Sequence, residues 1–510
     1  MEDNTVVNAK TRDGKTIPFV FKNDAPSGTM KQVFFAPDKK YVVALFHKMP
    51  DNTAIQRLEA LVGKYRDDIF GQIGGDYWKN LFCWPDKIVE CQIDGQKRIG
   101  FTMPVYPSNF FFKHDKNRKG GEKNAQWFTD LKLFRNIDPR EKGDFLQYMR
   151  ISLKLARAMR RLHMAGLAHS DLSYKNVLID PEGGNLNVID VDGLVVPGKF
   201  PPDVLGTAGF IAPEIVSDDS KPKKVLPTQL TDRHALAVLI YMYLLHRHPL
   251  RGGRFFGDDD AEDEETLLMG KDPLYIEHPT DNRNKNMKRE YGAEEYAKSM
   301  PWIDLQKFSA EKIAGEFLAK QFERAFIDGL KNPTKRPLPG DWEAAILKTI
   351  DRLLPCSNPK CTGKYFVFDN SKRPVCPFCG TAYQGIVPKL EMYNYNAVQK
   401  KFVPENYQVM VWKGQSLQKW HVNKRVVLSE KLPAEDMRRV GYFEFHKGNW
   451  LLVNEKLPDL YEIEKDGTRV HKKPGNPGDF IVLKDGTQIL FSYAEKEKGA
   501  RLAVVQLAGK

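Results

Sequence analysis

Residues 167–194 read LAHSDLSYKNVLIDPEGGNLNVIDVDGL. His169-x-Asp171 is followed five positions later by Asn176, and then by the apolar Val177-Leu178-Ile179. Fourteen residues past the asparagine, behind Val188 and Ile189, stands Asp190. An Asp–Asn pair alone serves equally as a turn or a cap, because both side chains bond nearby backbone. The sequence downstream adds weight. Residues 206–214 read GTAGFIAPE. TDRHALAVLIYMYLL then places Asp232 at the opening of an apolar helix, and NPTKRPLPGDW supplies Arg336.

In this order the four motifs resemble the eukaryotic-like protein kinases, from about residue 15 to residue 354. The resemblance implies an α+β, bilobal fold and Mg-ATP-dependent phosphoryl transfer. It makes Asp171 the base that orients and deprotonates an acceptor hydroxyl, and Asn176 and Asp190 the Mg²⁺ ligands. Such chemistry needs metal because the transferred group carries dispersed negative charge. Arg336 is matched to Glu214 as a buried ion pair. Lys175, one place before Asn176, is a candidate for the transferred phosphate. Asp192, in Asp190-Val191-Asp192-Gly193, is read as a second ligand or a turn cap.

The N-terminal side departs from the family. The glycine-rich loop is reduced to APSGTMKQVFF with Gly28 alone, and Phe46 stands where the clamping lysine belongs. Lys31, placed as in the with-no-lysine kinases, and Lys48 are the two substitutes, with Lys31 favoured because a loop lysine reaches phosphates directly. Glu59 is the candidate helix glutamate for that lysine. FTMPVY (101–106) resembles an adenine hinge, with Met103 and Val105 as backbone contacts. Ser170 replaces the arginine that receives an activation-loop phosphate, and Thr207 is the one hydroxyl side chain between residues 194 and 209. Activity is therefore expected without phosphorylation there, and Thr207 favours serine or threonine acceptors. A pseudokinase scaffold is the alternative, and a nucleic-acid-binding regulator a third reading.

The chain has 510 residues, 41% of them apolar and 28% charged, which excludes a disordered or fibrous protein. Its net charge of +12 permits a phosphorylated or nucleic-acid partner without demanding one. Strands are expected at 16–22, 32–36, 41–47 and 98–105, and helices at 53–65, 142–162, 231–247, 304–330 and 341–354. The domains expected are an N-lobe at 1–106, a C-lobe at 107–354, a zinc ribbon at 355–385 and a β-sandwich at 386–510. The acidic run 257–265 is read as a solvated loop. No secretory signal or bilayer-length apolar run is seen, so the cytoplasm is expected.

Cys356, Cys361, Cys376 and Cys379 form two pairs within 24 residues, suited to a structural four-cysteine site for Zn²⁺. Cys83 and Cys91 are expected to be reduced, half-buried thiols. Nucleic-acid binding by the ribbon is not favoured, since its four nearby cations are scattered. The tail repeats KDGT at 465–468 and 484–487, each a hairpin signal. Its rhythm resembles a forkhead-associated sandwich, with Arg425 as the phosphate-binding match. The whole combination is similar to bacterial kinases of the tellurite-resistance-linked phosphorylation triad. That resemblance implies protein substrates, a von Willebrand A-type protein and a metal-dependent phosphatase as partners, and stress or defence signalling.

Overall fold

Alternating burial builds the first strands. In β1 (Val6–Thr11) every second residue is buried, and Val7 and Ala9 face Phe19 and Ile17 of β2 (Thr16–Val20). The chain is described by a computed structural model over residues 1–71, 75–129, 131–216, 225–254, 265–285, 304–428, 432, 435–475, 479–491 and 499–508. Most of the acidic run, 257–264, lies outside these residues. With β3 (Lys31–Phe35), β4 (Tyr41–Phe46), β5 (Lys87–Ile93) and β6 (Gln96–Pro104), the order is β2-β1-β5-β6-β4-β3. Phe19 of β2 meets Phe34 of β3, ring centroids 5.2 Å apart, so the two end strands touch and the sheet curls.

Val43, Leu45, Val89 and Ile93 fill the inside of the curl. Ala44 and Phe101 face Leu58 of α1 (Asn52–Ala60), so β4 is buried on both faces. Asp51 starts α1 by accepting the Ala54 N–H at 2.8 Å. Strands β1 and β5 were not among the sequence expectations.

The helical lobe follows. α2 (Phe145–Met164) buries the expected stripe of Phe145, Tyr148, Leu155, Met159 and Leu162. β7 (Val177–Asp180) and β8 (Asn185–Val188) form a short hairpin. α3 (Gln229–Leu245) opens on a Thr228–Thr231 capping box and is buried almost all round, which explains its apolar sequence. α4 (Ala310–Glu323) and α5 (Pro339–Ile350) come last. The contacts divide the chain into Met1–Gly143 with Gln147–Ser309 and Lys320–Glu343, and a second unit of Asp144–Leu146, Ala310–Ala319 and Ala344–Lys510.

In the second unit β9 (Leu353–Pro355) pairs with β10 (Tyr365–Val367). Two antiparallel sheets follow. One orders β12 (Lys401–Met410), β11 (Val387–Asn396), β20 (Arg501–Ala508), β19 (Gln488–Leu490), β16 (Tyr461–Ile463) and β17 (Arg469–His471). The other orders β13 (Ser416–Gln418), β14 (Arg439–His446), β15 (Asn449–Asn454) and β18 (Phe480–Val482). Both sheets contribute to one core, including Leu390, Val409 and Val505 with Phe443, Leu452 and Ile481. This is a sandwich. The first KDGT joins β16 to β17 as a hairpin. The second does not: β18 pairs with β15 and β19 with β16 and β20, so this turn carries the chain between sheets. A local turn signal fixes the reversal, and the burial of the next strand chooses its sheet.

Candidate active site

The chain reverses at Ser170, whose φ of 64° is uncommon for a residue with a Cβ. Asp232, at the start of α3 and 2% exposed, fixes the turn. Its carboxylate accepts the His169 N–H at 2.8 Å and the Ser170 N–H at 3.1 Å. The sequence marks Asp232 only as a helix opener, because its partners are 62 and 63 residues away.

Asp171 follows. Its Oδ2 accepts from Asn176 Nδ2 at 3.0 Å, and its Oδ1 from Thr207 Oγ1 at 2.7 Å. The same Asn176 nitrogen donates to the Asp171 carbonyl at 2.8 Å. The β7–β8 hairpin sets Val177 opposite Val188, and the Ile189 N–H donates to the Asn176 carbonyl at 3.0 Å. Asp190 thus emerges one residue past Ile189, the backbone partner of Asn176, in the left-handed region at φ 57°. Two such residues flanking one site mark a backbone that its surroundings constrain. Lys175 is exposed, its Nζ 5.9 Å from the Tyr174 ring centroid.

Phe46 ends β4, and Lys31 is its register partner on β3. From β3 the Lys31 ammonium reaches the turn that follows β8. Lys31 Nζ donates to both Asp192 oxygens, at 2.7 and 2.6 Å, and to Asp190 Oδ1 at 3.2 Å. Burial works against its charged form, but Asp192 and Asp190 outweigh it and raise its pKa. Lys48 lies exposed in the bend after β4.

Glu59 requires a correction. Its carboxylate is ion-paired with Arg12, in the turn between β1 and β2, and not with a cleft lysine. The unanticipated β1–β2 hairpin brings that guanidinium to α1. Gly28 sits in a turn closed by its N–H to the Lys31 carbonyl at 2.8 Å. A Cβ there would meet nothing nearer than 3.9 Å, so the turn itself does not require glycine. On β6, Met103 pairs with Val42 of β4, and Val105 follows the strand, where no backbone bond occupies its N–H or C=O among the described residues.

Cys83 and Cys91 are fully buried rather than half-buried. Burial, with Asp192 nearby, pushes the Cys83 thiol up to about 12, so it stays protonated. Tyr106 is likewise raised, by burial first and then by Cys83, Glu122, Asp190 and Asp192.

The segment after Asp190 is fastened at three points. Arg57 of α1, 3% exposed, ion-pairs with Asp203 and donates to the Pro201 carbonyl at 2.6 Å. The Gly209 N–H donates to Glu265 Oε1 at 2.6 Å, and His248 Nε2 donates to the Gly209 carbonyl at 2.8 Å. His248 Nδ1 accepts from Leu250, and burial lowers the ring's pKa to about 3, so Nε2 carries the proton. Arg336 binds Glu214 through two parallel bonds, 2.8 and 2.6 Å.

The donor set fits Mg²⁺. The Asn176 nitrogen is committed to Asp171, which leaves its amide oxygen, and the Asp190 side chain is 54% exposed. Bound Mg²⁺ would neutralise the phosphate oxygens. In the second unit the four cysteine sulfurs lie within 4.8 Å of one another, with Cys356 and Cys379 at 3.5 Å and Cys361 and Cys376 at 3.7 Å. Tetrahedral zinc with bonds of about 2.3 Å sets sulfurs about 3.8 Å apart, so the thiols fit zinc.

Residues 129–308 match the protein kinase domain family. The fold is that of a protein kinase, and the chain carries a protein kinase domain, which marks it as a phosphotransferase. No curated protein matches the sequence. Among solved structures it is similar to the kinase domain of a Toxoplasma gondii specific rhoptry antigen, at 14% identity, covering 68% of this chain and 87% of that one, with a TM-score of 0.39. That likeness is too remote to bear on activity. No described helix is long and apolar enough to cross a membrane.

Proposed function

We propose that the chain is a Mg-ATP-dependent protein serine/threonine kinase. The observation that carries this is the bonding of Asn176 to Asp171 beside the hairpin that ends two residues before Asp190. Asp171 orients the acceptor hydroxyl and takes its proton. Lys31 holds the phosphates, and the free backbone of Val105 receives the adenine. Thr207, bonded to Asp171, supports serine or threonine acceptors. The thinned phosphate loop and displaced lysine speak for the scaffold reading, but Asp171, Asn176 and Asp190 are all present and Lys31 reaches Asp190 and Asp192, which favours an active enzyme. Incubation of the full chain with Mg²⁺, labelled ATP and a generic acceptor protein tests the proposal. Transfer should fail in Lys31→Ala and persist in Lys48→Ala; the opposite pattern rejects Lys31.

Arg57 and Asp203 support activity without activation-segment phosphorylation. A carboxylate already occupies the guanidinium that anchors the segment to α1. Phosphatase-treated protein should keep its rate, and Asp203→Asn should lose several-fold, since only one half of a part-buried pair remains. Loss of activity on phosphatase treatment, with a phosphate mapped to Thr207, rejects this.

The four thiols are assigned to a structural Zn²⁺. Elemental analysis of the full chain should find about one zinc per chain, lost in Cys376→Ser together with a lower unfolding midpoint. Metal-free protein of unchanged stability rejects it. The sandwich, with exposed Arg425, supports a forkhead-associated-like partner module. A von Willebrand A-type protein, a metal-dependent phosphatase, a cytoplasmic location and a stress or defence role are part of the same proposal and rest on the resemblance.

A further inference from the structure

We propose that Asp192 is the counter-ion of the phosphate-clamping lysine, taking the task that the resemblance gives to a glutamate of α1. This rests on the kinase reading of the cleft. Lys31 Nζ is within 2.7 Å of both Asp192 oxygens, but 3.2 Å from a single oxygen of Asp190. The Asp192 side chain is 12% exposed and that of Asp190 54%. The two carboxylates of Asp190-Val191-Asp192 therefore divide the work. Asp190 opens to the cleft, as a strongly hydrated Mg²⁺ requires. Asp192 is turned inward, with both oxygens occupied by the ammonium.

The register explains why the acid had to move. Lys31 is opposite Phe46, one strand away from the usual lysine position, and its Nζ lies 5.5 Å from the centre of the Phe101 ring. Glu59 is held at the surface by Arg12. An acid on the short 3₁₀ turn Val191–Gly193 meets the displaced lysine instead. The clamp and the metal-side aspartate then belong to one turn, and assembling the clamp does not depend on where α1 sits.

The test is calorimetric binding of a non-hydrolysable Mg·ATP analogue to the full chain. Asp192→Asn and Lys31→Met should each weaken binding about tenfold, and the double variant no more than either one, because the two side chains act as a unit. Glu59→Gln should stay within about twofold, as for an exposed ion pair. Asp192→Glu, which keeps the charge, should recover most of the affinity and so guards against misfolding. In a Mg²⁺ titration at fixed nucleotide, Asp190→Asn should raise the midpoint and Asp192→Asn should not. Multiplicative losses, a Glu59→Gln loss equal to that of Asp192→Asn, or a raised Mg²⁺ midpoint in Asp192→Asn would overturn the proposal alone. No binding by the unsubstituted chain would overturn the kinase reading as well.

Discussion

Asp171→Asn is expected to slow phosphoryl transfer roughly 10²–10⁴-fold, the usual contribution of a positioned base. The substitution is nearly isosteric. It keeps an oxygen that can accept from Thr207 Oγ1 or Asn176 Nδ2, now 2.7 and 3.0 Å away. The loop should therefore hold, since Asp232 fixes it through the backbone of His169 and Ser170 rather than through Asp171. Nucleotide affinity should stay near that of the unsubstituted chain, so the loss falls on the rate and not on binding. Single-turnover transfer measured beside calorimetric binding separates the two. A variant that retains a tenth or more of the rate would remove Asp171 from the mechanism.

Arg336→Ala should destabilise the first unit by about 3–5 kcal/mol, the cost of breaking a buried charge pair from one side. Arg336 is fully buried. Its guanidinium serves Glu214 twice, the Leu230 carbonyl at 2.9 Å and, through Nε, the Gly329 carbonyl at 2.9 Å. Alanine leaves a largely buried carboxylate without its partner, withdraws a donor from each of two carbonyls, and opens a cavity. Lysine should rescue little, because a point charge cannot reproduce two parallel bonds. Urea unfolding followed by tryptophan fluorescence reads the change, Trp342 being fully buried in the same unit. A shift below 1 kcal/mol, within the range of exposed pairs, would contradict this account.

The grouping of Asp171, Asn176 and Asp190, the proposed reaction centre, was legible because these residues sit close in sequence and in fixed order. Asp171 and Asn176 are five apart, and one hairpin brings Asp190 alongside. The Arg336–Glu214 pair, 122 residues apart, was readable only through the resemblance. What escaped is non-local. Nothing in the spacing ties Arg57 to Asp203, 146 residues on, or Lys31 to Asp192, 161 residues on. Glu59 was misassigned for the same reason: its partner Arg12 arrives on a hairpin whose first strand, VVNAKT, has a central asparagine and a lysine that weaken the strand signal. The long β11, VPKLEMYNYN, escaped similarly, although Leu390 and Met392 alternate inward from it. In the second KDGT the turn was right and the strand partner wrong, since pairing is decided by burial far from the turn.

The two grips on Gly209 carry a consequence for how acceptors can dock. Its N–H is spent on Glu265, and its C=O already accepts one bond from His248. On the kinase reading proposed above, an acceptor peptide laid along this stretch would find no free N–H at Gly209 to pair with.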